Sequence, residues 1–548
     1  MEFPASRLLL LAVLFPDLRA QAPAPNPILD PPAASARITV IDSRTDRVDL
    51  PRPERPPVVT VDRAKQLFVD DHLIASRTGL QRTLHPPRKH PANPLLTPVE
   101  PWEKPAVLLY GTVMHDPART TDRFRMWYLC FTPVWNADFS IATDKRNGRI
   151  AYAESADGLA WSRPRLGLHA YRESRDNNIV IPNAYGFAGL LFDPRDPDPQ
   201  RRYKAMIRTG RGHEACFSAD GLRWSEPVPM NLDGYDRSSV HWDPVRARWA
   251  ASTKSWYTTT PGAPAWRGRG YQESDDFLRW PGRAAFLTGT PEQGPEIVYG
   301  LECFYYESLY LGWWSRYRHE PDGLLDIQLA VSRNGRHWER PSLEPWLPLT
   351  PLPAGFRRNR LPRTAETGVD PLDPRVPWDY GNNSVNSLGP IRVGDELWIY
   401  YSGRTSDHRS NPQTGAIGLA TQRLDGFFSL DAGESAGRLL TTPVQLAHAT
   451  LHVNADARGG ELRVAVVDSD GNPIPPFTLE NCLPITTDDV RHAVRWRGAA
   501  DVSALQHRTV RLQFVLTRAK LFAFWTGAER RWNTPDTQTW SVRPAAER

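Results

Sequence analysis

The sequence predicts an all-β protein in which a five-bladed β-propeller is followed by a β-sandwich of the jelly-roll kind. The main observation is a short phrase, Ser-x-Asp-Gly-x-x-Trp with small variations, that recurs about every 60 residues, a period typical of propeller blades and not of helical solenoids. Four copies end at Trp161, Trp224, Trp280 and Trp338, and a degenerate fifth copy at 423–428 ends in phenylalanine.

The chemistry of this phrase explains why it marks a turn. The short side chain of Asp or Asn bonds to nearby backbone and glycine accepts a positive φ, so the pair suits a tight turn. The tryptophan supplies a large apolar surface for packing between neighbouring units. Each phrase closes a longer unit of β-branched and aromatic runs separated by Gly, Pro and Asp, as in an antiparallel meander. Five such units, at 110–153, 190–217, 239–272, 301–330 and 389–419, predict five blades.

The end of the repeat sets the predicted domain boundaries. Residues 1–22 combine an apolar run with an Ala-x-Ala site, which predicts a signal peptide and a secreted or periplasmic protein; the alternative is an apolar N-terminal strand. A Pro-rich linker follows at 23–60, the propeller at 61–435 and the sandwich at 436–548. Runs at 66–69 and 81–84 are expected to enter the first blade or to close the ring.

Composition excludes several classes of partner. The net charge is +5, but acidic residues are interleaved with the basic ones throughout and no basic run occurs, so we expect no nucleic-acid partner. No segment after the leader approaches the length of a membrane span. The 4 cysteines have no Cys-x-x-Cys spacing, so we expect no metal and no cofactor, and either free thiols or one disulfide.

Two carboxylates lie at similar depth on adjacent predicted inner strands. Asp236 precedes the turn that ends the third inner strand, and Glu302 precedes the turn that ends the fourth. Cleavage of a glycosidic bond needs an acid for the departing oxygen and a carboxylate that acts as nucleophile or base. Apolar neighbours favour Glu302 as the general acid, with Asp236 as its partner. The alternative is that each only bonds a neighbouring backbone group or an arginine.

Further candidate residues lie near the starts of the predicted inner strands. Glu103 is a candidate third catalytic carboxylate and Asp379 a substrate-binding one, because loops bring both over the funnel; either could instead cap its own loop. Four predicted blades each have a cationic residue at the same position in the repeat. These cations predict an anion-binding ring, since Arg binds carboxylate or sulfate in bidentate fashion. The alternative is that each cation pairs with an acidic residue at the junction between two blades. Trp313 could stack on a sugar or pack in the core. The four cations are Arg208, Lys254, Arg316 and Arg404.

The chain resembles the invertase and arabinanase type of five-bladed propeller glycoside hydrolases. The resemblance lies in the five units, the leader, the C-terminal sandwich, the segment 90–96 and the phrase Gly300-Leu301-Glu302-Cys303. It implies a secreted enzyme in which Glu302 carries the general acid. Two departures weaken the match. The residue after Cys303 is Phe304, where the family usually has proline. The family's Asn-Asp-Pro and Arg-Asp-Pro motifs are not found at comparable places. Arg195-Asp196-Pro197 has the letters of the second motif, but it lies in a predicted turn and not at the head of an inner strand.

Three functions remain open at this point. The first is a secreted glycoside hydrolase that acts on an oligo- or polysaccharide, with an acidic sugar held by the cation ring. The second is a catalytically silent propeller that binds glycans or proteins. The third is a phosphorylase or lyase on the same scaffold, in which the basic ring would hold phosphate. Function must be argued from the site, because one fold hosts many activities.

Overall fold

The computed structural model describes residues 39–40, 45–46 and 53–529, with gaps at 136–140, 185, 233, 235, 259–265, 283, 289–295, 319–321, 358–368 and 386–387. The predicted signal peptide and most of the Pro-rich linker lie outside the described residues. Within the described ranges the chain forms strands, and its helix is confined to two short 3-10 turns, Pro199–Arg201 and Ser503–Leu505. The predicted all-β class is confirmed.

The N-terminal strands join sheets that are built mainly from later parts of the chain. They are β1 (Thr39–Val40), β2 (Thr45–Asp46), β3 (Val59–Val61), β4 (Gln66–Leu67), β5 (Ile74–Thr78), β6 (Gln81–Leu84) and β7 (Arg88–Lys89). β1 and β2 extend the sheet of the third repeat unit, and β7 pairs with the last strand of the fifth.

The five repeat units each form an antiparallel group of three or four strands. The first two contain β8 (Ala106–His115), β9 (Phe124–Trp135), β10 (Ile141–Ser155), β11 (Ile179–Ile181), β12 (Gly186–Phe192), β13 (Tyr203–Thr209), β14 (Gly212–Ser218) and β15 (Val228–Pro229). The third and fourth contain β16 (Ser239–Asp243), β17 (Arg248–Thr258), β18 (Trp266–Ser274), β19 (Ala284–Thr288), β20 (Glu296–Tyr306), β21 (Leu309–Arg318) and β22 (Leu325–Ser332). The fifth contains β23 (Asn382–Val385), β24 (Ile391–Val393), β25 (Glu396–Arg404) and β26 (Ala416–Arg423).

The first strands of these groups contact one another in succession, except that the first strand of the fifth group meets the second strand of the fourth. β8 contacts β12, β12 contacts β16 and β16 contacts β20; β23 contacts β21 on one side and β8 on the other. A parallel bridge between Leu325 and Asn382 joins the fourth and fifth groups into one sheet. This order is the one expected of a five-bladed propeller with β8, β12, β16, β20 and β23 around a central funnel. The blade number stays our interpretation of these contacts.

The repeated turn joins neighbouring groups. Gly221 has φ 78°, which L side chains rarely adopt, and its carbonyl accepts a hydrogen bond of 2.6 Å from the indole of Trp127 in the preceding group. Gly158 is also in the left-handed region, and its carbonyl accepts a bond from Tyr400 of the fifth group. Glycine accepts this backbone without a Cβ penalty, so the turn can lie flat against its neighbour.

The eight remaining strands that the structure describes, together with β3, β4, β5 and β6, form a β-sandwich of two six-stranded sheets. They are β27 (Phe428–Ala432), β28 (Gly437–Thr441), β29 (Val444–Leu446), β30 (Leu451–Asp456), β31 (Glu461–Val467), β32 (Asp488–Ala493), β33 (Thr509–Thr517) and β34 (Ala519–Thr526). One sheet has the order β32-β30-β34-β27-β6 with β4 on β34; the other has β3-β29-β33-β28-β5 with β31 on β33. Alternating residues of both sheets form its core.

This topology corrects the expected boundary. Residues 59–84 belong to the sandwich and do not enter the first blade, and β27 also pairs there and not in the propeller. The N-terminal segment that joins the fifth group is β7, farther along the chain. The reason is packing: Val61 and Phe68 are fully buried in the sandwich core.

Two other expectations can be compared with the described residues. All four cysteines are free and buried. Of the two alternatives expected from the sequence, the structure therefore shows free thiols and not a disulfide. Among the residues that the structure describes, none belongs to a helix with the length and apolarity required to cross a membrane.

Candidate functional site

An ion pair of 2.7 Å joins Arg237 to Glu302. Glu302 lies on β20 and is 4% exposed, while Arg237 lies just before β16 with a left-handed backbone of φ 58°. A non-glycine residue held in this region is strained, and such strain tends to be kept at functional sites. Glu302 is therefore a salt-bridged carboxylate under the surface and not an open acid. The partner of Glu302 in this ion pair, Arg237, is the residue that directly follows Asp236.

Asp236 is the accessible member of the predicted carboxylate pair. Its side chain is 50% exposed and lies 2.7 Å from the ammonium group of Lys254. Burial opposes its ionisation, but attraction to Lys254, Arg267 and Arg208 outweighs burial and lowers the pKa of Asp236 to about 2. At neutral pH it is a carboxylate that can accept a proton or attack a carbon.

A fully buried guanidinium, that of Arg269, binds the backbone next to Asp236. Arg269 on β18 donates to the backbone carbonyl of Arg237 at 2.8 Å, and to Ser252 through both its carbonyl at 2.7 Å and its hydroxyl at 3.0 Å. Burial lowers the pKa of Arg269 to about 10; attraction to Glu302 opposes this and repulsion from Arg237 adds to it. Two cations thus share the single carboxylate of Glu302.

Aromatic rings and a histidine flank the charged groups. The guanidinium of Arg237 lies 4.4 Å over the ring of Tyr110, and that of Arg267 lies 4.5 Å over the ring of Tyr299. His408 packs edge-on against Tyr299 at 4.9 Å. Burial and repulsion from Arg267 and Arg404 lower the pKa of His408 to about 3, with Asp236 opposing, so the imidazole is neutral at pH 7.

These residues are called the funnel cluster below, because they come from several repeat units and interact with one another where those units meet. Arg404 at the end of β25 donates to the hydroxyl of Tyr110 at 3.1 Å, and thereby links the fifth unit to the first. The funnel cluster consists of Tyr110, Arg208, Asp236, Arg237, Lys254, Arg267, Arg269, Tyr299, Glu302, Arg404 and His408.

Three of the four cations of the predicted ring belong to this cluster. Arg208 and Lys254 act on Asp236, and Arg404 acts on His408. Arg316 has a different position, since it binds Asp326 of the same sheet through two bonds of 2.9 and 2.6 Å. For Arg316 the structure corrects the expected ring, and the alternative of pairing with a nearby acid describes it.

Glu103 lies apart from the funnel cluster. It is fully buried, and it accepts hydrogen bonds from the hydroxyl of Tyr128 at 2.6 Å, from Arg163 at 2.7 Å and from the backbone amides of Val99 and Glu100. Both oxygens are thus used by neighbours. This corrects the expectation of a catalytic role, because Glu103 caps its own loop.

Asp379 and Trp313 are also buried structural residues. Asp379 is 1% exposed and binds the hydroxyl of Tyr401 at 2.9 Å and the ammonium of Lys89 at 2.6 Å. Trp313 is 0% exposed and stacks on Trp346 at 4.4 Å. Neither side chain is open to a sugar, so both expected binding roles are corrected.

Six members of the cluster were not among the candidates from the sequence, namely Tyr110, Arg237, Arg267, Arg269, Tyr299 and His408. None belongs to the repeated turn phrase, and their positions depend on how four repeat units converge. One signal was available: Arg237 directly follows Asp236. Among the described residues, no group of three or more His, Cys, Asp or Glu is arranged to hold a metal ion.

Comparisons with known proteins find solved structures that are similar to this chain at low identity. No family model matches, and no curated protein matches. The chain is similar to an N-acetylgalactosamine deacetylase from F. plautii in complex with blood group B trisaccharide (14% identity, 64% of this chain and 97% of that one, TM-score 0.39). It is also similar to a β-1,2-mannobiose phosphorylase from Listeria innocua (13%, 62% and 97%, TM-score 0.37) and to a glycosyl hydrolase from Bacteroides ovatus (12%, 62% and 94%, TM-score 0.38). Likenesses of this size carry no argument about activity.

Proposed function

We propose that this chain is a carbohydrate-active enzyme that cleaves glycosidic bonds by hydrolysis in the funnel cluster, with Asp236 as the catalytic carboxylate. One observation carries the proposal: Asp236 is half-exposed and ionised among cations, while its neighbour Arg237 is anchored by the buried carboxylate of Glu302. Such a carboxylate supplies one of the two groups that glycoside cleavage ordinarily uses. Export through the predicted leader is part of the proposal.

The proposed step uses Asp236 as a base. Asp236 takes a proton from water, the water oxygen bonds to the anomeric carbon, and the glycosidic bond to the leaving oxygen breaks. The leaving oxygen departs on the face of the sugar opposite the attacking water and takes its proton from solvent. Lys254 lies 2.7 Å from Asp236, which is too close to the base for it to act as an acid on that opposite face. Its ammonium instead keeps Asp236 ionised.

Phosphorolysis is a second candidate, because the cluster has six cationic side chains and only one carboxylate that is open to solvent. Hydrolysis ordinarily uses two carboxyl groups. Phosphate brings its own nucleophilic oxygen and would be held by arginine and lysine. In that reaction the bond broken is the same, and the product is a sugar phosphate in place of a free sugar.

The test is product analysis on a panel of oligo- and polysaccharides with and without inorganic phosphate. Free reducing sugar in phosphate-free buffer supports hydrolysis, and a sugar phosphate formed only with phosphate supports the second candidate. Lys254→Met removes the cation nearest Asp236, so it should raise the pKa of Asp236 and move the acid limb of the pH–rate profile to higher pH. Glycan binding without either product would overturn both and leave a binding propeller.

A further inference from the structure

The funnel cluster carries more positive than negative charge. Arg208, Arg237, Lys254, Arg267, Arg269 and Arg404 face two carboxylates, Asp236 and Glu302. His408 does not add a charge near pH 7, because burial and the nearby arginines lower its pKa to about 3. Like charges brought together at low dielectric repel one another, so an anion bound among them would be stabilised.

Several guanidinium donors in the cluster have no partner among the described residues. They are Nε of Arg237, Nε and Nη1 of Arg267 and Nη1 of Arg269. Arg269 is fully buried and the side chain of Arg237 is 6% exposed. A buried donor that lacks an acceptor costs free energy, and each such donor in a native protein calls for an explanation. An oxyanion supplies the acceptors that these donors need.

The cluster also contains an acceptor without a donor. Oε2 of Glu302 is buried and has no partner among the described residues. A free oxyanion would be repelled by this carboxylate, whereas a sugar hydroxyl can donate to it. A ligand that carries both an anionic group and hydroxyl groups therefore fits better than an inorganic anion alone.

From these contacts we infer that the funnel cluster recognises an anionic group, carboxylate or sulfate, borne on a glycan, with Arg267 as the central contact. The inference rests on the proposed function for the site itself and adds the substrate class. Arg267 is half-buried between the rings of Tyr299 and Trp256, at 4.5 and 5.7 Å. This stacking holds its planar donors in place, and only arginine offers a bidentate fork for an oxyanion.

The experiment measures binding of uronate-containing and sulfated oligosaccharides, each beside its uncharged counterpart on the same backbone, by calorimetry at low and raised salt. Arg267→Met should weaken binding of the acidic members about 10- to 100-fold and leave the neutral ones unchanged. Arg267→Lys, which keeps the charge but lacks the fork, should lose part of this. The matched control is Arg223→Met, since Arg223 is 74% exposed on a turn of the second unit.

The outcomes separate the two proposals. Equal losses for acidic and neutral glycans, or no preference for acidic ones in the wild type, would overturn the inference while leaving glycan cleavage in place. Selective binding of acidic glycans without cleavage would overturn the proposed function while the inference stands. Saturable binding of inorganic phosphate with no preference among glycans would also contradict the inference, and would assign the cations to a free anion.

Discussion

Arg237 forms an ion pair of 2.7 Å with Glu302 in an interior where both side chains are about 95% buried, and Arg237 is the residue directly after Asp236. The carboxylate that the sequence marks as an acid therefore acts through its neighbour. Arg237 has a left-handed backbone with φ 58°, and we infer that its ion pair with Glu302 helps to position the adjoining Asp236. We regard Glu302 as a positioning residue.

Loss of the Glu302 charge should reveal this role. Glu302→Gln leaves a buried guanidinium without its counter-charge, which typically costs about 3–5 kcal/mol of unfolding free energy. The double variant with Arg237→Met should recover much of that loss, because the two residues are coupled. Chemical denaturation measures both. The control is Glu434→Gln, whose side chain is 83% exposed and should change stability by less than about 0.5 kcal/mol. Additive losses would argue against the pair.

Acid sensitivity should depend on His408. Burial and repulsion from Arg267 and Arg404 lower its pKa from the ordinary 6.5 to about 3, so the unfolded chain binds a proton that the folded one does not. Its contribution to stability is complete above pH 6.5 and is lost as the pH falls towards 3, by up to about 1.4 kcal/mol per pH unit. His408→Gln should flatten the fall in unfolding free energy between pH 6.5 and 4. An unchanged slope would show that the imidazole is not buried neutral.

Two tryptophans distinguish core packing from ligand contact. Trp313→Leu removes a ring stacked on Trp346 and should cost up to about 3–5 kcal/mol of stability with no change in glycan affinity. Trp256→Leu should lower glycan affinity and leave the stability nearly unchanged. Trp256 is partly exposed, and the centre of its ring lies 5.2 Å from the ammonium of Lys254. Thermal melts and binding isotherms on both variants check this. A loss of affinity confined to Trp313→Leu would return Trp313 to the site.

The repeated turn makes a prediction about close packing. A Cβ at Gly221 would lie 2.8 Å from Cζ2 of Trp127, whereas one at Gly167 would meet nothing within 4 Å. Both glycines have positive φ, so both alanine variants share a strain of about 1–2 kcal/mol. Gly221→Ala should cost a further 1–3 kcal/mol, roughly the penalty of overpacking. Equal losses on denaturation would show that the turn does not contact its neighbour.

The repeats made the all-β class predictable, because the turn phrase and its strands obey local rules. The boundary near 61 was not predictable, since β4 and β6 join the sandwich through partners more than 300 residues away. The site shows the same division. Asp236 and Glu302 could be placed from their positions in the repeat. The ion pair between Glu302 and Arg237 could not, because it joins two repeat units. The burial of Trp313 likewise depends on contact with Trp346.

Turnover by Asp236→Asn tests most directly whether Asp236 is the catalytic carboxylate of a glycan-cleaving site. Its control is Asp275→Asn, which removes an 80% exposed carboxylate in the same repeat unit. On a glycan that the wild type cleaves, we expect Asp236→Asn to lose about 10²- to 10⁴-fold in kcat, with unchanged circular dichroism, and the control to keep full activity. Wild-type kcat in Asp236→Asn would contradict the account.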